Sequence, residues 1–156
     1  MAGSIDWVLL AYRLPREPSA PRVTAWRRLR RLGAAQLLDG LVALPADART
    51  REELEWLADE VSEAGGEAWV WLGRLGSAAQ ERSVAERMAA AVAADYQAVI
   101  AEAAAMETES EAVRRRVVAR LRRELQRIGR RDFFPPADRD AARTAVEQLA
   151  ASVVAR

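Results

Sequence analysis

Residues Trp7–Gly33 read WVLLAYRLPREPSAPRVTAWRRLRRLG. The run Ile5–Tyr12 (IDWVLLAY) is short and almost wholly apolar, and it stops at Leu14-Pro15. That pattern predicts a strand buried on both faces. Arg16-Glu17-Pro18-Ser19-Ala20-Pro21 reads as a loop, with Ser19 suited to an N-cap and Pro21 to a first helical turn. The helix then runs to Gly33, which fits a left-handed stop. Val23, Trp26, Leu29 and Leu32 recur at spacing three and make the expected buried stripe. Arg27, Arg28, Arg30 and Arg31 fill the rest of the circumference.

The next elements follow from this first strand–helix unit. Ala34–Leu38 and Leu41–Leu44 flank Asp39-Gly40, a strong hairpin signal. Thr50 with Glu53 suggests a capping box, and Leu54, Leu57, Ala58, Val61 and Ala64 carry a second helix to Gly65-Gly66. Glu67–Leu75 (EAWVWLGRL) reads as a last strand, with Trp69 and Trp71 on one face and Val70 and Leu72 on the other. The order β-α-β-β-α-β predicts an α+β protein with a ferredoxin-like βαββαβ core over residues 5–75. In that arrangement a four-stranded antiparallel sheet carries two helices on one face. A three-helix extension over residues 77–155 is expected to follow. Ser77 with Gln80 and Thr108 with Glu111 suggest capping boxes for its first two helices, and Asp138 suggests the cap of the third. These helices need a partner surface, either the core or a second subunit.

Composition narrows the chemistry. The 156 residues contain no Cys and no His, so thiolate chemistry and the commonest general base and metal ligand are absent. No phosphate loop, dinucleotide fingerprint or metal-binding spacing occurs, and neither a cofactor nor an enzyme activity is expected. No run of 18 apolar residues exists and the N-terminus lacks a signal pattern, so a cytoplasmic location without membrane contact is expected. All basic residues are Arg. The net charge of +1 hides a segregation: residues 13–31 hold seven Arg and one Glu, residues 50–110 four Arg and thirteen acids, residues 111–131 nine Arg and two Glu. Two basic blocks flank an acidic middle, a pattern that bears on partners.

Several strings resemble the N-terminal domain of the ChrB-type chromate-resistance proteins. They are Trp7–Ser19 (WVLLAYRLPREPS), Arg22-Val23, Trp26–Ala34 (WRRLRRLGA), Asp39-Gly40 with Leu44-Pro45, Thr50–Ala58 (TREELEWLA) and Asp132-Phe133-Phe134. The resemblance covers nearly the whole chain. It implies a regulator of a chromate-efflux operon that binds DNA and responds to chromate. Members of that family also carry a C-terminal domain beyond the span of this sequence. The core is similar as well to the phenylacetate repressors and to small CRISPR-associated nucleases. Those nucleases place an acidic metal ligand at the end of the first strand, where this chain has Tyr12-Arg13-Leu14.

Three arginine groups are candidate sites. Arg27, Arg28, Arg30 and Arg31 could neutralise DNA phosphates, or could pair with Glu52, Glu55, Asp59 and Glu63 of the second helix. Arg114, Arg115, Arg122 and Arg123 could form a second DNA-binding surface, or pair with acids such as Glu102 and Glu107. Arg13, Arg16 and Arg22 bracket a helix N-terminus and could hold chromate or another oxyanion, or be tied up locally. The partners expected are DNA, a possible oxyanion effector and a second copy in a homodimer. Trp7, Trp26, Trp69 and Trp71 are expected in the core. The alternative reading is a protein-interaction domain without DNA contact of its own, partnering a separate chromate-resistance protein.

Overall fold

This computed structural model describes residues 3–154, and strand β1 (Trp7–Arg13) is the first regular element among them. It is followed by α1 (Ala20–Leu32), β2 (Ala35–Leu38), β3 (Leu41–Pro45), α2 (Ala48–Glu63), β4 (Glu67–Gly73), α3 (Ala78–Ala105), α4 (Glu111–Arg130) and α5 (Asp138–Val154). The strands form one antiparallel sheet in the order β2-β3-β1-β4. This is the expected βαββαβ arrangement, with a helical continuation. The chain divides into two compact units within α3, between Arg87 and Met88. No helix among the described residues is long and apolar enough to cross a membrane.

β1 is central, so its apolar run has neighbours on both edges and both faces. Trp7, Val8, Leu9 and Leu10 are all buried. Pairing Val8 with Leu44 and Leu10 with Val42 puts four buried side chains on one face, where Leu54, Leu57 and Val61 of α2 and Ala25 and Leu29 of α1 complete the core. On the other face Trp7 is fully buried. Beside it Glu81 of α3 accepts from Ser4 N at 3.1 Å and Ile5 N at 2.6 Å. These backbone donors, Ile5 foremost, hold the Glu81 carboxyl below the usual carboxylate range.

Four residues expected to be buried, Val23, Trp26, Trp69 and Trp71, are exposed, for two geometric reasons. Trp26 is 51% exposed, and Val23 is exposed too; the buried positions of α1 are Ala25 and Leu29. At about 100° per residue, a strict spacing of three walks round the helix, so Val23 and Leu32 end on opposite sides. The spacing of four from Ala25 to Leu29 is the stripe that stays in line. Trp69 and Trp71 do share a face, with Ala11 and Leu9 as their cross-strand partners, but β4 is an edge strand and both rings are exposed.

The caps also move. Asp47, not Thr50, caps α2: Thr50 N donates to Asp47 Oδ1 at 2.7 Å, and Asp47 N donates to Thr50 Oγ1 at 3.0 Å. Thr50 is therefore the third residue of the box, buried, and its hydroxyl also reaches Pro45 O at 2.7 Å. Ser110 rather than Thr108 caps α4. The Ser77 cap holds, its Oγ accepting from Gln80 N at 3.1 Å.

The second unit has its own core, built from Val92, Tyr96, Val99 and Ala103 of α3, Val118, Leu121 and Ile128 of α4, and Ala142, Val146 and Leu149 of α5. Tyr96 donates its hydroxyl to Asp132 Oδ2 at 2.6 Å, and Arg131 donates to Asp95 at 3.0 Å. Both bonds tie the turn after α4 back to α3. Burial first, then the hydrogen bond to Asp132 and the charge of that carboxylate, pushes the Tyr96 phenol well above its ordinary range.

Candidate nucleic-acid interface

The two turns that flank α1 set the site. Gly33 takes a left-handed φ of 75°, and its N–H and that of Ala34 return to Arg30 O and Leu29 O, closing the helix. Gly40 takes a φ of 74° in the β2–β3 turn, where its carbonyl accepts from Tyr12 N at 2.8 Å. A side chain at Gly40 would run into the Tyr12 carbonyl. This close approach sets Asp39-Gly40 beside the end of β1. Between that turn and α1 lies a groove of about 620 Å³, lined by Tyr12, Arg13, Leu14, Ser19, Val23, Trp26 and Asp39 and by the arginines Arg22 and Arg27.

The arginines of α1 separate into two kinds. Arg28 points to α2, where its guanidinium donates to Glu53 at 3.3 Å and to Glu60. Burial works against its charge, but the hydrogen bonds to Glu60 and Glu53 outweigh it and raise its pKa. Arg22, Arg27, Arg30 and Arg31 are exposed, and among the described residues no acidic side chain lies within ion-pair distance of them. Arg30 instead stacks on Trp26, its Cζ 5.0 Å from the ring centroid. A second hollow, lined by Thr24, Trp26, Arg27, Arg30 and Arg31, lies on this same helix.

The candidate oxyanion residues are not gathered together. Arg13 and Arg22 both line the groove, while Arg16 is exposed outside its lining. Arg13 pairs with its cross-strand neighbour Glu67 at 3.1 Å. Ser19 precedes α1, but its side chain makes no capping bond.

The α4 arginines are mostly engaged within the second unit. Arg114 is buried and donates to Glu109 O at 2.9 Å. Arg115 pairs with Glu111 at 2.7 Å, Arg122 with Glu147 at 3.0 Å, and Arg120 with Glu102. Arg123 is exposed without an acid partner among the described residues. The free cationic surface with an aromatic group therefore lies on α1. Tyr12, Trp26 and Asp39 join it although the sequence reading did not single them out as site residues. The spacing of four that joins Arg22, Trp26 and Arg30 was the available signal. Among the described residues no cluster of acidic side chains could hold a metal ion.

Fold and surface together define a small α+β domain with an arginine–tryptophan helix face. The chain belongs to the family described as Protein ChrB, N-terminal, whose family model matches residues 22–155. A curated relative, Protein ChrB of Cupriavidus metallidurans, is 31% identical over 133 residues, covering 83% of this chain and 40% of the relative. The chain thus spans less than half the length of that relative. No solved structure gives a significant match.

Proposed function

We propose that this chain is a regulatory protein of chromate resistance that contacts DNA of a chromate-efflux operon through the outer face of α1, acting by binding rather than catalysis. The observation that carries this reading is the division among the α1 arginines. Arg28 is committed to Glu53 and Glu60, while Arg22, Arg27, Arg30 and Arg31 are exposed with no acid within ion-pair distance among the described residues. Each such guanidinium can replace counterions on a phosphate backbone. Family membership supplies the chromate-resistance context, and chromate is the effector this reading assigns. A mobility-shift assay on duplex DNA from upstream of the protein's own gene, with and without chromate, tests it. A retarded complex at low salt that chromate dissociates or tightens supports the reading. Absence of any shift at low salt, with specific or random DNA, rejects it.

A second reading, a protein-interaction domain, is favoured by β4. This edge strand carries exposed Trp69, Trp71 and Leu72 and no charge between Ala68 and Gly73. An apolar edge of this kind is suited to strand pairing with another chain, and a homodimer is the simplest case.

A further inference from the structure

The groove beside α1 has a composition that bare phosphate contact does not require. Its floor is apolar and aromatic, from Leu14, Val23, Trp26 and Tyr12, and its cations, Arg22 and Arg27 with Arg13, are joined by Asp39. A volume of about 620 Å³ lies in the ordinary range for small organic ligands. A compact tetrahedral oxyanion would lose hydration against Leu14 and Val23 without covering the rings. A flat heterocycle would cover them. Arg30, the cation stacked on Trp26, is not among the groove's lining residues, whereas Trp26 is. Tyr12 is half-buried, and burial first, then the Asp39 charge, raises its pKa, so its hydroxyl stays a donor at neutral pH.

We infer that this groove seats one unstacked base of single-stranded DNA, its ring against Trp26 and its phosphate between Arg22 and Arg27. Tyr12 as a donor and Asp39 as an acceptor stand at the polar edge of the base. The inference rests on the reading of α1 as a DNA-contacting face and adds that a base freed from its stack can be held there beside the phosphate contacts. Base stacking on an aromatic side chain tolerates any sequence, because every base has a π-face, whereas the arginines read only charge.

Fluorescence anisotropy with three labelled probes of equal length separates the two claims: an oligothymidylate, the same sugar-phosphate backbone without bases, and a duplex. The wild-type protein is expected to bind the oligothymidylate about tenfold or more tighter than the abasic strand. Trp26→Ala should abolish that preference, the thymidylate losing about tenfold and the abasic strand far less, and Trp26→Phe should keep most of it. Circular dichroism of both variants checks that the half-exposed position is not needed for folding. Equal binding of the thymidylate and abasic strands, or equal weakening of both by Trp26→Ala, overturns the inference. In that case duplex binding that still depends on Arg27 leaves the DNA reading standing. If no probe binds at low salt, both fall.

Discussion

Arg28 and Glu53 meet across α1 and α2 at 3.3 Å, and the adjacent Arg27 reaches no acid among the described residues. One helical step thus separates a structural guanidinium from a free one. Arg28→Ala is expected to destabilise the fold by about 1–2 kcal/mol, discounted because Glu60 is half in water. Arg27→Ala should leave stability within about 0.5 kcal/mol of wild type. Urea titration followed by circular dichroism measures both. Equal losses from the two substitutions would contradict the division.

Tyr96 and Asp132 join α3 to the turn after α4 at 2.6 Å. Tyr96→Phe keeps the ring in the core and removes the donor, so Asp132 loses its partner. The expected cost is about 1–2 kcal/mol, read as a lower urea midpoint. Asp132→Asn keeps an acceptor and should cost less. A Tyr96→Phe variant as stable as wild type would show that the hydroxyl contributes nothing.

Glu81 gives a pH dependence of defined sign. Its carboxyl titrates below the usual range because the Ile5 and Ser4 N–H groups favour the charged form. A carboxylate with a depressed folded pKa adds stability above the ordinary glutamate range and loses it as pH falls through the lowered folded value. Glu81→Gln should therefore melt lower than wild type at neutral pH, and the two curves should converge in acid. Parallel curves over the whole acid range would contradict the assignment.

The β4 edge makes its own prediction. If the exposed Trp69 and Trp71 pair with a second copy, sedimentation velocity should show concentration-dependent dimers that Trp69→Glu converts to monomers. A wild-type protein that stays monomeric at high concentration would remove the self-pairing form of the second reading.

The architecture was legible in the sequence because its signals were local and redundant. Asp39-Gly40, the three- and four-residue spacing of Leu54, Leu57, Ala58 and Val61, and the apolar run of β1 stopped by Leu14-Pro15 each point to one element type. The surface was less legible. Whether Trp71 is core depends on β4 lying at an edge, which follows from strand order and not from the strand itself. Likewise Arg28 and Arg27 are identical neighbours in sequence. Only the position of Glu53 and Glu60 across the helix pair tells them apart. The Asp47 cap was missed because Thr50, three residues on, offers the same chemistry and serves as the other half of the same box.

The most direct test of the central claim is the salt dependence of DNA affinity for three proteins: wild type, Arg27→Ala/Arg31→Ala and Arg28→Ala. Each phosphate contact contributes about 0.9 to the slope of log affinity against log salt. The double variant is expected to flatten the slope by about two, while Arg28→Ala, compared where it is folded, keeps the wild-type slope. An unchanged slope in the double variant, or a loss in Arg28→Ala equal to it, would contradict DNA contact through the outer face of α1.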